Sequence, residues 1–188
     1  MEYKAPLRDM RFVLHELFDW GLMQTDPNFA NYRLLDDGRI VQKGTAEEIF
    51  DRPASRYVAT FVGGANVLEA RIAAVEATRI VLDSPAGPIE AMPDMVTGFR
   101  GPGLSRGQLV DLVLRPEMLA IEPSLAASAG AGRIESRTFL GTYVEYVVAF
   151  GEARLRVNAA PTSRLAEGES VVLSVPRHAP RAILKGAA

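Results

Sequence analysis

The sequence contains no cysteine and only two histidines, His15 and His178. Without a thiol there is no disulfide framework, no thiolate nucleophile and no zinc-thiolate site, and two histidines this far apart form no histidine cluster. Long apolar runs are missing too. Nothing approaches the roughly 18 residues that a membrane-spanning helix needs, and the opening MEYKAPLRDM has no signal-peptide core, so the expected location is cytoplasmic. Nor does charge of one sign dominate. Lys plus Arg number 21 and Asp plus Glu 23, a formal net charge of −2, which gives no chain-wide attraction to nucleic acid or anionic lipid.

What is present is an ordinary globular composition. With 188 residues, 48% hydrophobic and 23% charged, the chain can bury a sizeable core as one domain with an appendage or as two small ones. Leu7, Met10, Val13, Leu14, Leu17 and Phe18 recur at spacings of three and four, the pattern of an N-terminal amphipathic helix ended by Gly21. His15 falls on its polar side beside Arg8, Arg11 and Glu16, where solvation is expected rather than ligation. The next segment, through Leu35, carries Asp26-Pro27, Asn28 and Asn31 and is expected to be a loop.

Asp36-Asp37-Gly38 then predicts a turn into a short strand over 39–43. Thr45 followed by Glu48 has the spacing of a capping box, which predicts a helix over 46–50 halted by Pro53. Glu47 and Glu48 are neighbours pointing about 100° apart near the positive end of that helix. Capping, not acid–base catalysis, is their expected role. Ser55 caps a second short helix that carries Tyr57, Val58, Phe61 and Val62 and ends at Gly63-Gly64.

From Asn66 the period changes to two. Nine short strands separated by Gly, Pro or Ser turns are predicted, with hairpins turning at 83–87 and 150–152. In the second hairpin Val144, Tyr146, Val148 and Phe150 share one face, and Leu155 and Val157 alternate with Arg154 and Arg156. Many short strands without intervening helices favour a small barrel, because closure removes exposed edges. FRGPGLSRG, 99–107, lacks the Lys-Ser/Thr ending and following helix of a phosphate loop, and is expected to be a plain loop. SLAASAGAG, 124–132, has the composition of a flexible joint.

The run DDGRIVQKGTAEEIFDRPASRYVATFVGGANVLEARI, with LVLRPEMLAIEP and GRIESRTFLGTYVEYVVAFGEARLRV downstream, resembles the end of the ATPase domain and the C-terminal TOBE regulatory domain of ABC importer ATP-binding subunits. The spermidine/putrescine and ferric-iron branch is the most similar. The resemblance implies a mainly β fold: a small OB-like TOBE-type barrel preceded by short helices and the N-terminal amphipathic helix. It divides the chain into a heterologous arm (1–35), an ATPase-domain remnant (36–65) and a barrel domain (66–188). It also implies a non-catalytic regulatory or interaction role, with ABC ATPase or permease subunits, or a second copy, as partners and the membrane reached only through them. Walker A, signature and Walker B motifs are not found in the sequence, so neither an enzyme nor a cofactor is expected.

Ligand or interface candidates are Arg115 and Glu117 in the Arg-Pro-Glu motif, with Pro116 ending the strand so that Arg115 can reach a carboxylate or backbone carbonyl. A brace at the strand end competes with ligand contact for Arg115. Ser136, Thr138 and Thr142 are candidates if the barrel is a standalone small-oxyanion binder. Phe50, Tyr57 and Phe61 are the expected exposed apolar anchors on the two short helices. Near the N-terminus, MEYKAPLRDMRFVLHELFD resembles the start of acyl-CoA dehydrogenases, and LMQTDPNFANY resembles the catalytic loop of the ubiquinone-biosynthesis atypical kinases. The latter leaves an alternative, a degenerate kinase-like binder of metal and nucleotide through Asp26, Asn31 and Asp36.

Overall fold

Strands whose side chains alternate apolar and polar must bury the apolar face against another layer, and in the computed structural model that layer is a second sheet. The model describes residues 32–34, 40–98, 103–124 and 130–185. The predicted N-terminal helix lies outside the described residues, as do 99–102 of the expected loop and 125–129 of the expected joint.

The chain enters through β1 (Tyr32–Leu34) and β2 (Ile40–Lys43), paired antiparallel from Leu34↔Ile40 to Tyr32↔Lys43. Tyr32–Leu34 therefore corrects the expectation of a loop through residue 35: pairing with β2 overrides the turn-forming residues just before it. This hairpin also joins residues on both sides of the expected division at 35/36.

Two short helices follow. α1 (Ala46–Asp51) starts with a full capping box, the Thr45 hydroxyl accepting from Glu48 N–H and the Glu48 carboxylate accepting from Thr45 N–H. Such a cap contributes about 1 kcal/mol. α2 (Arg56–Phe61) is capped by Ser55, whose hydroxyl accepts from Val58 N–H at 3.3 Å. Between the helices, the Gln42 side chain donates to Arg52 O and accepts from Ala54 N–H, which fastens the connection to β2.

The remaining strands form two sheets. Six strands lie in the order β5-β4-β3-β7-β13-β6: β5 (Gly87–Ala91), β4 (Ile80–Ser84), β3 (Asn66–Val75), β7 (Leu109–Leu114), β13 (Arg181–Leu184) and β6 (Val96–Thr97). All neighbours are antiparallel except β13 and β6. Five lie in the order β11-β10-β9-β12-β8: β11 (Ala153–Ala159), β10 (Val144–Phe150), β9 (Gly132–Phe139), β12 (Ser170–Ser174) and β8 (Ala120–Pro123). The edge strands β11 and β8 approach each other, so this sheet curls into a half-barrel. The described residues thus contain eleven strands from Asn66 onward rather than nine. β6 and β8 are the additions, short segments placed by 3-10 turns at Pro93–Met95 and Pro116–Met118.

The expected hairpins form. Ser84 pairs with Gly87, its hydroxyl donating to Gly87 O at 2.7 Å. Phe150 pairs with Ala153 across Gly151-Glu152, and Gly151 alone of the two has positive φ, +59°, as a type II′ turn requires.

One core fills the space between the sheets. Leu68, Ile72, Ile80, Leu82, Leu112 and Leu114 from one face meet Ile134, Val144, Tyr146, Val148, Leu155 and Val157 from the other. Each such side chain, fully buried, contributes about 1.5–3 kcal/mol before entropy is counted. A smaller cluster, Ala59, Ala65, Val113 and Ile183, lies where α2 covers the outer face of the six-stranded sheet. β7 is consequently buried on both faces, which accounts for its near-continuous apolar run.

Candidate functional site

The Arg-Pro-Glu motif sits where β7 ends. Pro116 has no N–H to continue the ladder, and the chain turns, Met118 N–H donating to Arg115 O at 3.0 Å. The Arg115 side chain, 2% exposed, runs beneath the helices. Its Nη2 donates to Phe50 O at 2.7 Å, and its Nη1 donates to Ala59 O at 3.2 Å and to Val62 O. These carbonyls belong to the ends of α1 and α2, where the backbone lacks intrahelical donors. The guanidinium carbon also lies 3.9 Å from the centroid of the Phe50 ring. Burial lowers the pKa of Arg115, while the nearby charges of Glu117 and Asp51 act in the opposite direction. An arginine remains a cation through such a shift.

Immediately after α2 the chain passes Gly63 and Gly64, both with positive φ, +76° and +57°. A Cβ on Gly63 would stand 2.8 Å from the Phe50 ring and 2.9 Å from Arg115 Nη1; one on Gly64 would stand 3.0 Å from Arg156 Nη2. Arg156 of β11 donates from Nη2 to Gly64 O. Asn66, 8% exposed, completes the set. Its Nδ2 donates to Leu114 O at 3.2 Å and to Arg156 O at 2.8 Å, while its Oδ1 accepts from Arg156 N–H at 2.8 Å. On the other side of α1, Arg181 of β13 donates to Asp51 O at 2.8 Å and pairs with the Asp51 carboxylate at 3.2 Å.

The site is therefore a polar junction at which two helix ends and both sheets meet. Of the residues singled out in the sequence it gathers Arg115 and Phe50. Phe50 departs from the expected exposed anchor, being half-buried with the guanidinium over its ring. Glu117 is exposed beside the junction. Tyr57 and Phe61 are 44% and 57% exposed on α2, their rings stacked with centroids 6.4 Å apart. Ser136 and Thr138 lie on β9 opposite Val147 and Glu145, and Thr142 is exposed in the turn before β10. Asp26, Asn31 and Asp36 lie outside the described residues. Among the described residues no group of three or more His, Asp or Glu is placed to hold a metal ion, and no helix is long and apolar enough to cross a membrane.

Sequence reasoning missed Asn66, Arg156 and Arg181. Arg156 carries the signal of a solvated strand face, and only the arrival of the α2–β3 linker turns it into a clamp. Asn66 interrupts an apolar run where turn residues end, a weak hint of a buried amide.

Two further polar features lie apart from the junction. On the outer face of the six-stranded sheet Glu69 stands opposite Asp111, and Lys185 Nζ bridges them at 2.5 and 3.3 Å. The hydrogen bond from Lys185 holds the Glu69 carboxyl below the usual glutamate range and raises the pKa of the lysine. A shallow groove of about 580 Å³ opens beside β8 and β12, lined in part by Ser124, Ser163, Arg164, Glu169 and Ser170. Behind it the Tyr146 hydroxyl and Ser163 Oγ share a hydrogen bond of 2.9 Å.

The sequence profile of the family described as TOBE domain matches residues 112–183. The spermidine/putrescine import ATP-binding protein PotA 1 of Pseudomonas aeruginosa is 31% identical over 157 residues, covering 80% of this chain and 40% of that protein. The corresponding PotA of Pseudomonas fluorescens is 33% identical over 150 residues, covering 77% and 38%. The Fe(3+) ions import ATP-binding protein FbpC 1 of Rhizobium meliloti is 33% identical over 117 residues, covering 61% and 30%. The chain thus spans about two fifths of the length of the first two relatives. Among solved structures, the cytoplasmic molybdate-binding protein ModG with molybdate bound superposes with a TM-score of 0.46 and 14% identity, over 62% of this chain and 94% of that one.

Proposed function

We propose, for a chain that carries a TOBE domain and is homologous to the C-terminal regions of spermidine/putrescine import ATP-binding proteins over about 80% of its length and of an Fe(3+) import ATP-binding protein over 61%, that it acts as a non-catalytic regulatory and interaction module of such an importer. The observation that carries this reading is the homology, which extends upstream of the TOBE match into the segment containing α1 and α2. Two features of the fold are consistent with it. The described residues form a two-sheet body around one core, and its helices are tied to that body by a buried arginine rather than arranged around a reacting group.

In this reading the partners are ABC ATPase or permease subunits, or a second copy of the chain, and contacts are non-covalent. The chain by itself does not turn over ATP. The test is to mix the purified full chain with the purified ATP-binding subunit of a spermidine/putrescine importer and of an Fe(3+) importer. Sedimentation would follow association and phosphate release would follow hydrolysis. The expected result is association with at least one subunit, a changed hydrolysis rate, and no phosphate release by the chain alone. No association with either subunit, or hydrolysis by the isolated chain, overturns the reading.

A further inference from the structure

We infer that the junction of Arg115, Asn66 and Arg156 is a mechanical coupler, through which a displacement of α1 and α2 reaches β11 on the far sheet and a displacement of β11 reaches the helices. This goes beyond the proposed role and does not depend on which partner the chain meets. The core between the sheets is apolar, and apolar contact is non-directional, so by itself it leaves the sheets some freedom to slide. Hydrogen bonds lose strength steeply with angle and distance. Elements joined by several short bonds therefore move together.

The linker from α2 to β3 is held in this way from both sides. Its Val62 carbonyl is gripped by Arg115, from the end of β7 in the six-stranded sheet, and its Gly64 carbonyl by Arg156, from β11 in the five-stranded sheet. Two residues further on, one amide side chain bonds Leu114 of the first sheet and both backbone groups of Arg156 in the second. Since β11 is an edge strand, Asn66 serves it as a short substitute for the neighbouring strand it lacks.

The linker has little room to absorb movement. Gly63 and Gly64 adopt left-handed backbone conformations, and the space where a Cβ would stand is already occupied by Phe50, Arg115 and Arg156. Arg115 also makes the attachment close to all-or-none. Its described acceptors are backbone carbonyls of α1, α2 and the residue that caps α2, so lifting the helices would break all of these bonds at once. The helices therefore carry the end of β7 with them, and through Asn66 and Gly64 they carry β11.

Hydrogen exchange read by mass spectrometry on the full chain tests this with two variants. Arg156→Lys removes the clamp on Gly64 at a half-exposed side chain. The expected result is that exchange across residues 56–62 accelerates by about tenfold, although residue 156 lies on the other sheet. Arg115→Lys is expected to accelerate exchange across 153–159 in the same way, with the β4–β5 hairpin, 80–91, unchanged in both variants. Unchanged exchange across 56–62 in Arg156→Lys overturns the inference, and so does acceleration extending to 80–91, which would mark general loosening. If Arg115→Lys fails to fold, the Arg156→Lys result decides alone.

Discussion

Replacing Asn66 by alanine removes three hydrogen bonds and little volume, so its effect on stability can be worked from geometry. The bond to Leu114 O, 3.2 Å, is buried; the two to Arg156, both 2.8 Å, are half-buried. A buried carbonyl left without its donor costs about 1–2 kcal/mol, and each half-buried group that water can partly reach costs about 0.5–1. The expected loss is about 3 kcal/mol. Urea denaturation at neutral pH would read it as a fall in midpoint without a change in slope. Asn66→Asp separates bonding from shape. The carboxylate keeps the size of the amide and can still accept from Arg156 N–H, but it sets an acceptor where a donor faced two carbonyls. It is therefore expected to be no more stable than the alanine variant. A loss under about 0.5 kcal/mol for Asn66→Ala, within the range of ordinary surface substitutions, or recovery of wild-type stability by Asn66→Asp, would refute the account of the junction as a bonded device.

Gly63→Ala should be far more damaging than Gly87→Ala. Both need a positive φ, worth about 1–2 kcal/mol to an L-residue, but only at Gly63 does the new Cβ meet a ring and a guanidinium within 3 Å, with open space around Gly87; thermal unfolding of the two variants compares them directly. The Glu69–Lys185 pair gives a pH signature. Because the Glu69 pKa is lowered in the folded chain, its contribution is present above the unfolded value of about 4.3 and is lost as pH falls through the folded value. Because the Lys185 pKa is raised, its contribution is present below about 10.4 and is lost as pH rises through the folded value. Lys185→Met should flatten both limbs of the stability profile, measured by urea titration across pH; an unchanged profile would show that the pair contributes nothing.

What could be read from the sequence was local. The Thr45–Glu48 box works over three residues, and the hairpins at Ser84–Gly87 and Phe150–Ala153 are set by their own turns. The inward row Val144, Tyr146, Val148 and Phe150 follows from the period of a strand. What could not be read depends on distant chain. Arg115 could be named from its motif, but its acceptors lie 53 to 65 residues away, and nothing in the motif distinguishes a carbonyl from a ligand. Asn66 finds its second partner 90 residues along. β9 carries a bulge between Ile134 and Ser136, visible only in its pairing with β10, which brings Arg137 and Phe139 onto the face of Tyr146 and Val144. Gly132 looks like any strand-start glycine, yet a Cβ there would stand 2.6 Å from Phe150 and Val148.

The same distinction bears on how a module of this kind can act. A ligand pocket announces itself by converging side chains of reactive or charged type, and such residues can be sought in a sequence. A coupler uses backbone carbonyls as acceptors, and every residue carries one. At this junction the groups that join helices to sheets are the carbonyls of Phe50, Ala59, Val62, Gly64, Leu114 and Arg156, held by two arginines and one amide. Their identity matters less than their position, so Phe61, exposed at the end of α2, could be exchanged for another apolar residue with little effect on the junction. Exchanging Arg115 for lysine keeps the charge but loses the planar fork that reaches both helix ends at once. Transmission from helices to barrel thus depends on the shape of one guanidinium more than on its charge.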